Sequence, residues 1–302
     1  MKRRASLAAL LFVPLTVAAM NIDAFWEYSD PAASETRFRA ALASATPDER
    51  LELLTQIART HSLRGEFAAA HGMLDDVEKQ LKQAGPGPRV RYCLERGRTF
   101  NSAGDKTRAA PLFREAWDVA LAAHLDGLAV DAAHMLAIVE SPDSAEEWTR
   151  RGMELARRSE EPKARALLPA LLNNHAWNLY DAGRLEESLT VFREAETAWR
   201  ATGRQPQGRI ATWSVARALR ALKRHDEALR LQRDLEHEWD AAGCADGYVF
   251  EEIAENLEAL GRTHEATAYY RRAERELAKD PQFVRDEAAR WRRITEFAAR
   301  RD

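Results

Sequence analysis

From Leu51 onward, apolar residues recur three and four positions apart in long runs, and no segment sustains an alternating pattern of β-branched residues. Such periodicity predicts amphipathic helices and negligible strand. Short breaks punctuate the runs: Arg64-Gly65-Glu66-Phe67, Ala103-Gly104-Asp105, Ala182-Gly183-Arg184-Leu185 and Leu260-Gly261-Arg262 each join two helical patterns. Their glycines lie 39, 79 and 78 residues apart. One period of about 39, with two glycine-free turns, accounts for all three gaps. The glycine-free turns fall between Glu140 and Asp143 and at Lys223-Arg224-His225-Asp226, so six helix-turn-helix units are predicted.

Within a unit, the residue five after the turn is small (Ala70, Ala109, Ser188, Ala228, Ala266), and four further on it is large (Leu74, Phe113, Phe192, Tyr270). Seven residues before the turn stand Ala58, Gly97, Ala176, Ala216 and Ala254. Small residues let helix backbones approach closely, and the large one fills the gap between neighbours. That is one-dimensional stacking, not a single closed core.

On these residues the stretch from Leu51 to Lys279 resembles tetratricopeptide repeats (TPR), best at Leu172 to Ala195, Tyr92 to Ala116 and Ile253 to Ala273. The spacing exceeds the usual repeat of about 34 residues and is similar to the longer TPR-like units of bacterial regulatory proteins. The resemblance implies an all-α, right-handed α-solenoid of about six TPR-like helix-turn-helix units over 51–280, with flanking helices. Two departures stand out. The third unit has Glu140-Ser141-Pro142 at its turn and leaves its second-helix register open between Ser144 and Ala145, and the fifth has Gln232 at the large position.

In the N-terminal segment 20–50, Asp30-Pro31 opens a helix through Leu42, and Thr46-Pro47-Asp48-Glu49 starts the next, since proline and acidic residues suit a helix's first turn. Gly85-Pro86-Gly87-Pro88 reads as a rigid turn between units. In 281–302, a helix from Asp280-Pro281 to Arg301 carries Arg285, Asp286, Glu287, Arg290, Arg292 and Arg293, which suit a solvated cap on the stack. Residues 1–19 order Lys2-Arg3-Arg4, an apolar run from Ala5 and a small-residue end at Ala18-Ala19, as in a cleavable signal for periplasmic or secreted export. The run is shorter than the roughly 20 residues of a membrane span. In the alternative, Met20 is the true start and the protein is cytoplasmic, toward which the lack of any predicted disulfide tilts the reading.

Charge and motifs narrow the chemistry. With 45 Lys plus Arg against 48 Asp plus Glu, the net charge of −3 offers no general attraction to a phosphate backbone, and nucleic acid is not an expected partner. Phosphate-loop, dinucleotide and nucleophile-elbow motifs are absent, and the eight histidines are dispersed. No enzyme, cofactor or metal site is expected. Glu251, Glu252, Glu255 and Glu258 form the densest carboxylate row, read as a solvated or ligand-facing acidic patch and not as an acid–base pair.

Applying the repeat register to the first helix of each unit leaves residues without a stacking role on the side that lines the concave groove of TPR-like solenoids. They are Arg59 in the first unit; Arg98 in the second; His134 in the third; Asn173, Asn174, Trp177 and Tyr180 in the fourth; Trp213, Arg217 and Arg220 in the fifth; and Tyr248, Glu251 and Glu255 in the sixth. Glu52, Thr55, Arg91, Leu94, Asn101, Val130 and Ile210 fall on the same side. Asn can pair with an extended peptide backbone, Arg can clamp a carboxylate, and aromatic faces supply apolar anchors. For Trp177 and Trp213, filling the core between adjacent helices stays open as the alternative. The expected function is a scaffold or adaptor that binds a peptide or protein segment in the groove, its acidic last unit selecting partner polarity. The alternative is a regulatory sensor of a signalling peptide or small molecule. Replacing Asn174 and Arg217 by Ala is expected to leave stability within about 1 kcal/mol. Oligomeric state is open.

Overall fold

The computed structural model describes residues 20–300, so the signal-like segment 1–19 lies outside the described residues. The described residues divide into two compact bodies, one up to Leu112 and one from Phe113 on. Among the described residues every regular element is helical. The first body holds a 3-10 turn at Ile22–Phe25, α1 (Pro31–Ala41), α2 (Pro47–Leu63), α3 (Phe67–Glu78), α4 (Pro86–Ser102) and the start of α5 (Lys106–Ala122). In the second follow α6 (Asp126–Val139), α7 (Pro142–Arg158), α8 (Pro162–Asp181), α9 (Leu185–Ala201), α10 (Gln205–Ala221), α11 (His225–Ala241), α12 (Gly247–Ala259), α13 (Thr263–Leu277), α14 (Pro281–Asp286) and α15 (Ala288–Ala298). Taken in consecutive pairs, α2 to α13 are the six repeats that the glycine spacing predicts.

Packing follows the small and large positions. Ala58, Ala176, Ala216 and Ala254 on the first helices, and Ala70, Ala109, Ser188, Ala228 and Ala266 on the second, are fully buried. So are Leu74, Phe113, Phe192 and Tyr270. Ser188 keeps its hydroxyl satisfied by donating to the Ala176 carbonyl at 2.8 Å. Burial of Ala145 sets the register of the third repeat. Gln232 is buried at the large position of the fifth, where neither amide atom finds a partner within the protein, a local cost of about 1–3 kcal/mol.

The glycine-free turn at Lys223 has the geometry of the glycine turns, whereas that of the third repeat does not, since Glu140 ends α6 extended at φ −81° and ψ 172°. Gly183 has φ +75° and Lys223, its counterpart, φ +61°. In both turns the next N–H reaches back five residues, Arg184 to the Leu179 carbonyl and Arg224 to that of Leu219, each at 2.9 Å. Lys223 therefore adopts a left-handed conformation that costs a non-glycine residue about 1 kcal/mol.

At the ends, two expectations are corrected. Gly85-Pro86-Gly87-Pro88 is no turn: Gly85 caps α4, and both prolines sit in its first turn, where a missing N–H costs nothing. The final helix is two helices, broken at Glu287. Thr46 and Glu49 form a reciprocal capping box at the start of α2. Among the described residues no helix is long and apolar enough to cross a membrane.

Candidate partner-binding face

In the second body the expected groove residues of α8, α10 and α12 form a continuous series of rings. Trp177 lies 6.2 Å from Trp213 between ring centroids, Trp213 lies 6.5 Å from Tyr248, and Tyr248 lies 5.5 Å from Phe283 on α14. Tyr180 stands edge-on to Trp177 at 5.3 Å. Trp177 stands one residue after the small position of its repeat, Trp213 three before and Tyr248 six before, so each ring is set back about one helical turn on the same face and meets the next across the stack. Phe283 is buried and the other four are half-buried: Trp177 and Tyr180 pack on one apolar cluster, Trp213 and Tyr248 on the next. Each indole is thus packed on its cluster and partly open to solvent.

The polar residues of the same face spend much of their hydrogen bonding on one another. His134 pairs with Asn174 at 3.0 Å. Arg217 donates to Glu252 at 2.5 Å, and Arg220 grips both oxygens of Glu252 at 2.7 and 3.0 Å while reaching Glu255 at 3.3 Å. Burial opposes the Arg220 charge, but Glu252 and Glu255 outweigh it and hold its pKa above the ordinary arginine value. Glu251 is paired with Arg290, Glu255 with Arg293 at 2.7 Å, and Glu258 with Arg300 at 2.9 Å. Burial pushes the Glu251 carboxyl above its usual range, against the pull of Arg290.

These pairings correct three expectations. The glutamate row is not a solvated patch: Glu252 is wholly buried, Glu251 is 3% exposed, and arginines neutralise all four members. Glu251 and Glu255 therefore do not present an acidic surface that selects partner polarity. Nor is the C-terminal region a simple solvated cap, since its Arg290, Arg293 and Arg300 are the partners. Arg217 has a structural role after all, holding a buried carboxylate.

In the first body, Arg59 is covered by the chain itself. Its guanidinium lies 5.2 Å from the Trp26 ring and 5.5 Å from that of Tyr28, and its nearest carboxylate is the buried Glu95 at 3.5 Å. Arg98 also pairs with Glu95, at 2.8 Å. Thr55 and Leu94, and Val130 in the second body, are buried outright, and Arg91 is buried on Glu52 and Asp23, which removes them from any open surface. Arg59–Glu95, His134–Asn174 and Arg217–Glu252 are one contact made three times. In each, the residue after the small position of one first helix meets the residue two before the small position of the next. That rule was available in the sequence.

Two hollows open on the second body beside the rings. One, of about 270 Å³, is lined by His134, Ala137, Ile138, Thr149, Leu171, Asn174, Trp177 and Asn178. The other, of about 390 Å³, is lined by Arg209, Ile210, Trp213, Trp239, Asp246, Tyr248 and Val249. Ile138 and Ile210, at 41% and 57% exposure, are the exposed large aliphatic residues of this body, and each lines one hollow. Ile138, Asn178, Arg209 and Trp239 were not among the expected site residues, because their exposure depends on where facing helices begin and end.

No protein-family model matches the sequence, and neither does any curated protein sequence. Solved structures do match. RapI in its apo form aligns with a TM-score of 0.68 at 12% identity, over 82% of this chain and 71% of its own. A STAND signal-transduction ATPase with a tetratricopeptide repeat sensor, from Pyrococcus horikoshii, gives 0.69 at 12% identity, over 89% of this chain and 42% of its own. The apo quorum sensor NprR of B. thuringiensis gives 0.57 at 12% identity, over 87% and 74%. The fold of this chain is that of the TPR-like repeat proteins, an all-α solenoid of stacked helix pairs.

Proposed function

We propose that the protein is a binding protein and not an enzyme, and that it takes an extended peptide or protein segment along the first-helix face of its second body, as a scaffold or adaptor. The observation that carries this is the row Trp177, Trp213 and Tyr248, with a hollow and an exposed isoleucine at two places beside it, the larger hollow walled mainly by apolar residues and the smaller by apolar and amide side chains. Half-buried rings held in place by packing suit binding anchors. Asn174 and Asn178, both exposed at the smaller hollow, offer amides to a peptide backbone. Nucleic acid fits poorly, because Arg217, Arg220, Arg290 and Arg293 are already neutralised by glutamates. A second reading, a regulatory sensor of a signalling peptide, draws support from the sensors among the similar structures.

The test is a pull-down with mass spectrometry on the intact chain and on an Ile138→Asp, Asn178→Ala variant, followed by affinity measurement on whatever peptide segment is recovered. The variant should lose about tenfold or more in affinity, roughly 1.4 kcal/mol, with unchanged helical circular dichroism. Undiminished binding by the variant would move the partner to another surface. Contraction of the protein on binding, measured by X-ray scattering, separates the sensor from the adaptor.

A further inference from the structure

The larger hollow has a physical origin in the repeat geometry. α10 begins eleven residues ahead of its small residue Ala216, whereas α12 begins only seven ahead of Ala254. Four residues, about one turn or 6 Å of helix, are therefore missing from α12. α12 thus starts about one turn late against α10, and next to that offset Ile210 is 57% exposed and borders a space walled by Ile210, Trp213, Trp239, Tyr248 and Val249.

Two charged side chains border this space, and they differ in how far they are satisfied. Asp246 turns its carboxylate to its own helix, where Oδ1 accepts from the Tyr248 and Val249 N–H groups at 2.9 and 3.3 Å. Arg209 lies over the Trp239 ring at 4.5 Å, and its buried Nε makes no hydrogen bond. The nearest carboxylate, Glu238, is 3.7 Å away and is shared with Arg200, which it meets at 3.0 Å. The space thus joins apolar and aromatic walls to one arginine that lines it, is 14% exposed and is only loosely held by Glu238.

We propose that this hollow is a subsite for the C-terminal residue of a peptide, whose aromatic side chain enters between Trp213, Trp239 and Tyr248 while its terminal carboxylate meets Arg209. The inference rests on the peptide-binding reading of this face. An internal Asp or Glu would satisfy the arginine and leave the walls empty, and an internal aromatic residue would do the reverse. Only a chain-terminal apolar residue carries both groups on one backbone unit. The three rings favour an aromatic occupant, through edge-to-face contact, and the volume exceeds the roughly 150 Å³ that accommodates a benzene ring.

The probes are N-acetyl-L-phenylalanine and its amide, which differ only in the carboxylate, titrated into the intact chain and followed through the tryptophan indole N–H signals by NMR. The acid should bind at least fivefold tighter than the amide. Arg209→Met, which keeps the stem over Trp239, should remove that preference, and Ile210→Asp at the exposed lip should weaken the acid at least tenfold with unchanged circular dichroism. Equal affinity for acid and amide, indifference to Arg209→Met, or no shifted indole signal up to the solubility of the probe overturns the subsite. A partner peptide sensitive to Ile138→Asp but not to Arg209→Met would refute the subsite and leave the peptide-binding face standing. Binding of the acid probe with no peptide bound would do the opposite.

Discussion

Replacing Glu252 should damage the second body more than replacing either arginine that holds it. The carboxylate is fully buried, and both guanidinium side chains are 24% exposed. In Glu252→Ala, Arg217 loses the carboxylate it pairs with and Arg220 keeps Glu255 at 3.3 Å, so two largely buried cations are left poorly compensated. Breaking a buried pair from one side costs about 3–5 kcal/mol. Partial exposure of the arginines places this case near the lower end, about 3 kcal/mol, or roughly 6–12 °C in Tm for a body of this size. Arg217→Ala leaves Glu252 with both Arg220 bonds and should cost about 1–2 kcal/mol, more than a residue without a structural role would. Urea unfolding of each variant, followed by tryptophan fluorescence, gives the comparison, and hydrogen exchange in α10 and α12 localises it. Equal losses for Glu252→Ala and Arg217→Ala, or a loss below about 1 kcal/mol for Glu252→Ala, would refute the reasoning.

Two further outcomes are expected. The His71 imidazole is held below its usual pKa of 6.5 by burial and then by Arg96, against Asp75; Arg96 donates to its Nδ1 at 3.0 Å, which requires a neutral ring. The stabilisation is therefore present above pH 6.5 and lost as pH falls through the depressed folded value, the unfolded state taking the proton first. The urea midpoint should fall with acidification below pH 6.5 and fall less steeply in His71→Gln; identical slopes would contradict this. Gly247→Ala should cost about 1–3 kcal/mol, because a Cβ there meets Leu277 Cγ at 2.7 Å, whereas Gly72→Ala meets nothing within 4 Å and should gain about 0.4–1 kcal/mol. A neutral Gly247→Ala in thermal unfolding would show that Leu277 yields freely.

The repeat architecture was legible because its signal is local: a turn, a small residue five on and a large one four beyond are read along one strand of sequence. Even the glycine-free turn at Lys223 was legible, since its place was set by the period and not by its residue. The glutamate row was misread for the opposite reason. Residues at i, i+4 and i+7 on a helix rich in charge normally face water, and nothing near Glu251 or Glu252 in sequence reveals arginines 32 to 39 positions away. Comparing equivalent positions of successive repeats, Arg59 with Glu95 and Arg217 with Glu252, would have exposed the pairing. The hollow at Arg209 and Trp239 depends on a one-turn offset between helix starts. Asp246-Gly247 carries that information as a cap signature, but only against an agreed register.

The three ion pairs that join α12 to the C-terminal helices have a further consequence. Stacked helix pairs end in a surface shaped to receive another helix pair, and a surface that accepts a further copy of itself in head-to-tail fashion builds filaments instead of closed assemblies. Here Glu251, Glu255 and Glu258 of the sixth repeat are matched in order by Arg290, Arg293 and Arg300. A seventh repeat would have to displace three charge-paired arginines before it could dock. The seam thus covers the open end of the sixth repeat with matched charge.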